Sequence, residues 1–337
     1  MGEITIRHLA ETLNVSTATI SKALNDSHDI SDATKGRVFE LARSLNYRPN
    51  PFASGLRKHK SKTIAVILPE IADNFFAQAV NGIEEIAREK GYHLLIYLSH
   101  DSSETEAFFI NDLLGRCVDG LLISVSFDGI DFTHLDEIQG KLPTVFFDRT
   151  YSGSLLHVTN NDFESAYQAT KHLYECGCRQ ISFLSILQGL EVGNQRLQGH
   201  LCALQDCGLP FNPSLVINCS NNKEDNEAKL YHLMKTVKPD GIVSSVEKLA
   251  KLCYHTCNDL GIAIPEDVKI VSFSNLDSAS LLNPSLTTIT QPAYDIGKQA
   301  ATMLFKVLKY SNYEAESMVM NSELIKRQST NVSVSST

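Results

Sequence analysis

The sequence predicts a small all-α head followed by an α/β body made of two doubly wound parallel-sheet lobes. The first evidence is a set of three short helical patterns within residues 1–46. From Lys62 onward, apolar runs typical of buried strands alternate with helical stretches, and the alternation begins again after Asp162. A length of 337 residues agrees with about two or three domains.

The apolar spacing of the head predicts three helices that share one small core. The first runs over residues 5–15 and is closed by Asn14, and the next two begin after the N-capping hydroxyls of Ser16 and Ser31. Helices this short are not stable alone in water, so they must pack together. The predicted inward positions are Leu9, Ala10, Leu13 and Val15, then Ala18 or Thr19 with Ile20, Ala23 and Leu24, and then Val38, Leu41, Ala42 and Leu45.

The connection between the first two helices indicates a helix-turn-helix. It is about three residues long, the length at which the second helix can enter the major groove of DNA. That second helix carries small residues for close approach and hydroxyl, amide and cationic groups for phosphates and base edges. The alternative is a three-helix bundle that serves only as a structural cap.

The charge distribution favours the DNA-binding interpretation. Residues 1–60 contain nine Lys or Arg against six Asp or Glu, a net charge of +3. The whole chain has a net charge of −9, so residues 61–337, with 21 basic and 33 acidic side chains, carry −12. A basic head on an acidic body is directed towards phosphate, and we therefore expect double-stranded DNA as a partner.

Composition also excludes several classes of protein. No apolar run approaches the ~20 residues that cross a bilayer, and the N-terminus lacks the pattern of a signal peptide, so we expect a cytoplasmic protein without a membrane partner. A secreted solute-binding protein would share the body, but it would carry an export signal and no basic head.

The sequence predicts no metal site, no cofactor and no enzyme activity. Its eight cysteines are scattered without paired CxxC spacing, and Cys176 and Cys178 are too close for a normal pair of zinc ligands. Free thiols are therefore expected. The chain also lacks a Gly-x-Ser-x-Gly elbow and a phosphate-binding Gly-Lys-Ser/Thr loop.

The body divides into two series of predicted elements. The first has strands at 64–68, 93–98, 120–125 and 144–147 with helices at 75–90 and 104–114. The second has a helix at 166–175 and strands at 181–184, 215–217, 241–245 and 269–273. We expect the chain to return to the first lobe near Pro292 with a helix over 294–310.

Ordered motifs along the chain resemble the LacI family of bacterial transcription regulators. In the head, the matching residues are Ile6, Leu9-Ala10, Val15-Ser16, Thr19-Ile20-Ser21, Leu24-Asn25, Leu45-Asn46-Tyr47 and Pro49-Asn50. In the body they are 64–69, Phe75-Phe76, Gly82-Ile83, Gly91-Tyr92, 118–120, Asp148-Arg149, 265–268 and 286–289. This agreement runs from Ile4 to Ile289, far beyond one short motif.

The resemblance implies which head residues contact DNA. Thr17, Ala18 and Lys22 stand where the family reads base edges, although the family usually has Arg at the last position. Lysine donates as a point charge instead of through two parallel bonds, which changes the preferred base pair. The remaining predicted DNA-binding residues, for phosphate contact and positioning, are Thr5, Ser16, Thr19, Ser21, Asn25 and Tyr47. The alternative for each is a solvated helix face.

Residues 50–56 resemble the hinge helix of the family, two copies of which lie in the minor groove at the centre of a twofold operator. Asn50 and Ala53 would lie close to the DNA, and Leu56 would wedge into the central base step. Gly55 weakens a free helix by about 0.5–1 kcal/mol, so we expect the hinge to be disordered without DNA. An ordinary linker is the alternative.

The resemblance also implies a periplasmic-binding-protein-like body and a set of domain boundaries. We predict a helix-turn-helix domain at 1–46, hinge and linker at 47–60, and a disordered tail at 331–337. The N-terminal lobe comprises 61–160 with 291–318, and the C-terminal lobe 161–290 with 319–330. In this family such bodies form homodimers that place two heads on a pseudo-palindromic operator.

A cleft between the lobes, outside the carboxyl ends of the strands, is the expected place for a small-molecule effector. The family's effector contacts match Phe75, Phe76, Asp148 and Arg196 and the loop after Phe273. Aromatic rings suit sugars or bases, and an arginine can hold a hydroxyl pair or a carboxylate. The phenylalanines are alternatively core residues, and Asp148-Arg149 a structural ion pair.

The sequence departs from the family pattern at two positions of this cleft. Where the family usually has Asn-Asp in an Ala-Asn-Asp-x-x-Ala segment, this chain reads Ser245-Val246-Glu247-Lys248-Leu249-Ala250, and where it has Gly-Phe-Asp-Asp, this chain has Ser272-Phe273-Ser274-Asn275. Losing a carboxylate that accepts hydroxyl bonds costs ~1–3 kcal/mol per unpaired donor. We predict that Val246, Ser274 and Asn275 contact an effector that is a sugar or sugar derivative and that changes operator affinity, with the protein acting as a repressor. The alternatives are a different class of effector, or a degenerate cleft with activity set by a protein partner.

Overall fold

The computed structural model describes residues 4–47, 61–115, 118–128, 132–138, 140–153, 156–310 and 316–331. These residues form two compact units, Met1–Ser61 and Lys62–Thr337. The first is a three-helix head, and the second is a body with two six-stranded sheets. The predicted fold class is therefore confirmed.

The head consists of helices α1 (Ile6–Leu13), α2 (Thr17–Leu24) and α3 (Asp32–Ser44). Its core is formed by apolar side chains from all three helices, among them Leu9, Ile20, Ala23 and Val38, each with no exposed surface. Because each helix alone is too short to be stable, this shared core stabilises the head.

Hydroxyl caps fix the helix boundaries as predicted. The side chains of Ser16 and Ser31 accept hydrogen bonds from the third residue of their helices, and Thr5 does the same for α1. Asn14 ends α1 in the left-handed conformation, with a φ of 53°. Of the two candidates for the inward position in α2, Thr19 is half-buried while Ala18 is exposed.

The first sheet of the body is entirely parallel, with strand order β11-β5-β4-β3-β1-β2. Its strands are β1 (Thr63–Leu68), β2 (His93–Leu98), β3 (Gly120–Ile123), β4 (Thr144–Phe147), β5 (His157–Asn160) and β11 (Met318–Met320). Helices α4 (Asn74–Glu89) and α11 (Ala293–Lys309) cover one face, and α5 (Ser103–Leu114) covers the other, beside the short α6 (Thr133–Asp136).

The second sheet has strand order β12-β10-β9-β8-β6-β7, with only the β10–β12 pair antiparallel. Its strands are β6 (Ile181–Ser185), β7 (Val216–Asn218), β8 (Gly241–Ser244), β9 (Lys269–Phe273), β10 (Thr287–Thr290) and β12 (Glu323–Ile325). Helices α7 (Asp162–Glu175) and α8 (Glu191–Asp206) pack on one face, and α9 (Lys223–His232) and α10 (Glu247–Leu260) on the other.

The chain crosses between the sheets three times. The crossings follow β5, follow β10 and join β11 to β12. Two of them are tied together, because the Asn161 amide donates to the carbonyl of Met320 at 2.9 Å and the Ser322 amide donates to Oδ1 of Asn161 at 2.8 Å. The two lobes are therefore joined by a compact bundle of extended segments.

Glycines allow the helix pair of the first lobe to pack backbone against backbone. A Cβ atom on Gly82 of α4 would lie 2.1 Å from the carbonyl oxygen of Tyr294, and one on Gly297 of α11 would lie 2.0 Å from that of Ala79. No larger residue fits at either position without moving a helix. This contact fixes α4, whose N-terminus forms one wall of the cleft.

The observed elements agree closely with the strong sequence patterns. Strands 93–98, 144–147 and 269–273 have the predicted bounds, whereas β3 ends two residues early and α7 begins at Asp162 instead of 166. Helices α6, α8, α9 and α10 and strands β5, β10, β11 and β12 were not predicted as elements. Strand β11 pairs with β5, so Val319 and Met320 belong to the first sheet and the predicted lobe boundary after residue 318 falls inside a strand.

Candidate functional site

Helix α2 presents its predicted DNA-contacting face to solvent. Ile20 and Ala23 point into the head core, while Thr17, Ala18 and Lys22 lie on the exposed side. Asn25 follows the helix and is also exposed, whereas Thr19 and Ser21 are half-buried. The three residues predicted to meet base edges therefore share one accessible surface.

The hydroxyl and amide side chains beside this surface are engaged in capping the helix. Ser16 Oγ accepts from the Thr19 amide at 3.0 Å and lies 2.9 Å from Thr19 Oγ1. At the other end, Asn25 Nδ2 donates to the Ser21 carbonyl at 2.7 Å. These contacts order both ends of α2, so the side chains of Ser16, Thr19 and Asn25 already stabilise the helix within the head.

Lys22 forms an ion pair within the head. Its Nζ atom lies 2.8 Å from Oδ2 of Asp29, and the two side chains are 54% and 67% exposed. Hydrogen bonding to Lys22 lowers the pKa of the Asp29 carboxyl. An exposed ion pair of this kind contributes little to stability, so a phosphate or base acceptor can replace Asp29.

Thr5 and Tyr47 lie at the edges of the head. Thr5 Oγ1 accepts from the His8 amide at 3.4 Å as the cap of α1. Tyr47 is half-buried against the head core, and burial raises the pKa of its hydroxyl. The other predicted contacts, Asn50, Ala53 and Leu56, lie outside the described residues, as does the whole of the predicted hinge.

In the body, the predicted effector residues converge on one small cavity between the two sheets. It has a volume of about 30 Å³, room for only a few water molecules. Ligand pockets are typically about 300–1,000 Å³, so the cleft is closed at these residues, whereas a neighbouring cavity of about 570 Å³ between the lobes shares Asp148 with it. All seven predicted effector residues line it: Phe75, Phe76, Asp148, Arg196, Val246, Ser274 and Asn275.

Phe75 and Phe76 lie in the first turn of helix α4 and are both core and cleft residues. Their exposed fractions are 6% and 3%, and their ring centroids lie 5.3 Å apart with one edge against the other's face. Phe76 also packs against Phe147 at 6.4 Å. The Asp73 carboxylate caps the helix by accepting a hydrogen bond from the Phe75 amide at 2.9 Å. This cap holds the first turn of α4, and with it the two rings, against the cavity.

Asp148 follows β4 in the left-handed conformation, with a φ of 59°. Burial raises the pKa of its carboxyl to about 6, against the opposing effects of Arg149 and Arg196. Arg149 Nε lies 3.8 Å from Asp148 Oδ2, and the same guanidinium donates to the Asp101 carboxylate. Arg149 thus lies between two carboxylates, as in the structural ion-pair alternative.

Arg196 is held by groups of its own lobe. Its Nε atom donates to Oδ1 of Asp162 at 2.7 Å, an NH1 atom donates to the Ser245 carbonyl at 2.5 Å, and the guanidinium lies 4.0 Å from the Phe273 ring centroid. The Arg196 side chain is buried. Burial raises the pKa of Asp162, and the charge of Arg196 opposes that shift.

Glu247, at the start of α10, makes the contacts that the sequence did not predict. Its carboxylate accepts hydrogen bonds from Asn74 Nδ2 at 3.2 Å, Ser274 Oγ at 3.0 Å and Lys251 Nζ at 2.6 Å. Val246, the residue before it, caps nothing with its side chain. The signal in the sequence was Glu247 itself, which stands at the Asp position of the family's Ala-Asn-Asp-x-x-Ala segment, directly after Val246.

A second contact joins the lobes beside Glu247. Asn275 Nδ2 donates to Gln78 Oε1 at 3.0 Å and to the Gln291 carbonyl at 2.7 Å, and Asn275 Oδ1 accepts from the Gln291 amide at 3.2 Å. Gln291 Nε2 is buried and has no hydrogen-bond partner among the described residues. The cleft therefore retains one unpaired donor in its wall.

Other kinds of site are not found in the part of the chain that the structure describes. No three of its His, Cys, Asp and Glu side chains are grouped to hold a metal ion. Its cysteines, which are Cys176, Cys178, Cys202, Cys207, Cys219, Cys253 and Cys257, are free thiols. None of its helices is both long and apolar enough to cross a membrane.

Known proteins are similar to this chain over nearly its whole length. Residues 5–50 match the bacterial regulatory proteins of the lacI family, and residues 170–330 match the periplasmic binding protein-like domain. The HTH-type transcriptional repressor CytR of Escherichia coli K12 is 32% identical over 333 residues, which cover 97% of this chain and 96% of CytR.

Two solved structures extend the comparison. The lac repressor dimer bound to operator and the anti-inducer ONPF has the same fold, with a TM-score of 0.84, 20% identity, and coverage of 98% of this chain and 100% of that one. A periplasmic binding protein/LacI transcriptional regulator from Alkaliphilus metalliredigens QYMF, complexed with D-xylulofuranose, is 25% identical with a TM-score of 0.69, covering 80% and 100%. With its head, its body and its relatedness to CytR, the chain belongs to the lacI family of bacterial regulatory proteins.

Proposed function

We propose that this protein is a sequence-specific transcriptional repressor that reads its operator through helix α2. The exposed surface formed by Thr17, Ala18 and Lys22 on a capped helix is the observation that carries the proposal. Small side chains allow the helix backbone to approach the bases, and the lysine supplies a cationic donor. The remaining predicted head residues orient the helix or contact phosphates.

The repressor acts as a homodimer on a pseudo-palindromic operator. Strand β2 forms one edge of the first sheet, and its Leu95 and Ile96 side chains are 39% and 45% exposed. Leu281 of the second lobe is 82% exposed. Apolar side chains on both lobes suit a second copy of the chain, because exposed apolar surface of this kind marks interaction sites. The hinge residues Asn50, Ala53 and Leu56 are proposed to reach the minor groove at the operator centre.

A small-molecule effector is proposed to bind between the lobes and to change operator affinity. Support comes from the convergence of all seven predicted residues on the cavity and from the relative complexed with D-xylulofuranose. The phenylalanine rings can pack against the face of a sugar. An effector can shift the equilibrium only by binding the open and closed bodies unequally.

A protein partner is the second candidate for the regulatory signal. The observation that favours it is the closed cleft, whose arginines and Glu247 are already paired with groups of this chain. A screen of sugars, nucleobases and nucleotides by thermal shift separates the candidates, because a ligand that binds the folded body raises its melting temperature. Absence of any stabilising compound favours the protein partner.

The function itself is tested by selecting bound fragments from the native genome at low salt. The expected result is enrichment of a few pseudo-palindromic sites, each bound at least about a thousandfold more tightly than random duplex. A variant with Thr17→Asp and Lys22→Asp, which reverses the charge of the α2 surface, is the matched control. Equal recovery of all fragments would contradict the proposal.

A further inference from the structure

We propose that Glu247 closes the cleft from within, because its hydrogen bond to Asn74, together with the pair of Asn275 and Gln78, holds the two lobes together without a ligand. In this arrangement side chains of the protein take the polar contacts that an effector would otherwise make. The inference deepens the regulatory part of the proposed function, and it rests on that proposal only for the identity of the ligand class.

The first contact spans the cleft between α10 and α4. Glu247 belongs to the second lobe and Asn74 to the first, and the amide donates to both carboxylate oxygens, at 3.2 and 3.5 Å. The carboxylate is held in this orientation by Ser274 and Lys251 on its own lobe. Because Glu247 is only 5% exposed, each of these donors is needed to compensate for its burial.

The second contact is parallel to the first and lies one helical turn along α4. Gln78 Oε1 accepts from Asn275 Nδ2 at 3.0 Å, while the Gln78 amide approaches the Asn275 carbonyl at 3.5 Å. Asn275 is fixed by two hydrogen bonds to the backbone of Gln291, at one of the crossings between the lobes. Residues 74 and 78 lie on the same face of α4, since residues four apart are neighbours on a helix surface.

The charges around the cavity indicate which ligands can enter. The guanidinium groups of Arg149 and Arg196 already face Asp101 and Asp162, whereas Glu247 and the nearby Asp148 present acceptors. A molecule that replaces Asn74 at Glu247 must bring hydrogen-bond donors of its own. The cleft therefore favours uncharged compounds rich in hydroxyl groups, or amines, over phosphates and carboxylates.

Single-molecule energy transfer between the lobes tests the contact directly. Dyes are attached through p-acetylphenylalanine at the exposed positions Glu104 of α5 and Glu224 of α9, which leaves the cysteines untouched. The ligand-free full-length protein is expected to show one narrow, closed population. The variant carrying Asn74→Ala and Gln78→Ala is expected to lower the closed-to-open ratio about tenfold or more, because each hydrogen bond contributes roughly a factor of five.

Two controls separate this effect from general damage. Asn81→Ala removes an exposed amide from the same helix and should leave the distribution unchanged. Asn74→Ala and Glu247→Ala combined should shift the ratio less than the sum of the single variants, because both remove one shared contact. Additive shifts, an unchanged distribution in the double amide variant, or an already open wild type would each overturn the inference.

The predicted preference for uncharged ligands is tested by comparing the affinities of a neutral and a phosphorylated sugar. D-Ribose is expected to bind the body more tightly than D-ribose 5-phosphate, and the reverse order would overturn the assignment. Operator binding is measured on the same samples. If the wild-type protein binds operator but its lobes are open, only the proposed internal closure is overturned. If its lobes are closed but it binds no genomic fragment, only the proposed function is overturned.

Discussion

The head and the cleft were both predicted from matching motifs, yet the structure places their residues in opposite environments. Thr17, Ala18 and Lys22 are exposed on one helix, with side chains available to a macromolecular partner. Phe76, Asp148 and Arg196 are each at least 92% buried and contact other groups of the same chain. The predicted DNA-contacting side chains are thus accessible to solvent, whereas the predicted effector-contacting side chains are buried among groups of the same chain.

This difference has a consequence for how substitutions act. A change on the exposed surface of α2 alters binding with little effect on folding, because few contacts inside the head depend on it. A change in the cleft alters folding first, because its charges are buried and paired. Substitutions that change DNA binding without changing folding stability, or the reverse, therefore test this difference between the head and the cleft.

The largest expected effect is that of Arg196→Met. It leaves the Asp162 carboxylate buried without its partner, which should lower the free energy of unfolding of the body by about 3–5 kcal/mol. Arg88→Met, which breaks an exposed pair with Glu84, is the control and should cost less than about 1 kcal/mol. Urea denaturation followed by circular dichroism measures both, and equal losses would show that burial does not distinguish the two pairs.

Asp148→Asn should stabilise the body at neutral pH. In the folded protein the pKa of the Asp148 carboxyl is raised from 3.8 to about 6, so folding favours the protonated form. The stability that protonated Asp148 provides is therefore lost as pH rises from about 4 to about 6, and above this range the ionised carboxylate destabilises the fold. Asparagine does not ionise and tolerates a positive φ. The gain should be about 2–3 kcal/mol above pH 6 and vanish below pH 4. A gain that does not vary with pH in urea titrations would assign the titration to another group.

Lys22→Ala should weaken binding to a selected operator about tenfold while changing random-duplex binding much less, because a base contact is lost. Asp29→Ala removes the intramolecular partner of the lysine and should not weaken either complex. Fluorescence anisotropy with both duplexes measures the ratio. If Lys22→Ala reduces both affinities equally, the lysine contacts only phosphate.

The smallest effect is expected for Ser16→Ala, which removes the cap of α2. The helix should lose about 1 kcal/mol of protection from amide hydrogen exchange in the full-length protein. The adjacent Thr17→Ala is the matched control, since this exposed residue caps nothing, and its protection should change by less than about 0.5 kcal/mol. Equal protection in the two variants would mean that the hydrogen bond to Thr19 does not stabilise the helix.

The sequence predicted the fold well where a pattern is local. Capping serines, an Asn that ends α1 and apolar runs such as 269–273 are each set within a few residues, so their bounds were recovered. Strands β11 and β12 have three residues each, and no periodicity develops over that length. Pairing with distant strands determines them instead.

The sequence predicted which residues lie at the candidate sites, but it predicted only some of the hydrogen bonds and ion pairs that these residues form. All seven cleft residues reached the same cavity, because parallel strands end at a common edge. The partners of those residues are distant in sequence, as with Arg196 and Asp162 or Asn74 and Glu247. Burial and long-range pairing decide whether such a side chain is free for a ligand, and neither can be read from one segment.

The three crossings between the sheets have a further consequence for regulation. Asn161 hydrogen-bonds to both Met320 and Ser322, while Gln291, at the crossing after β10, is fixed by Asn275. A change in the backbone of either of the two tied segments is therefore transmitted to the other, and we expect the lobes to rotate as whole bodies. We accordingly expect that replacing Asn161 alters the movement of the lobes while the exposed face of α2 and the seven predicted effector residues stay chemically unchanged.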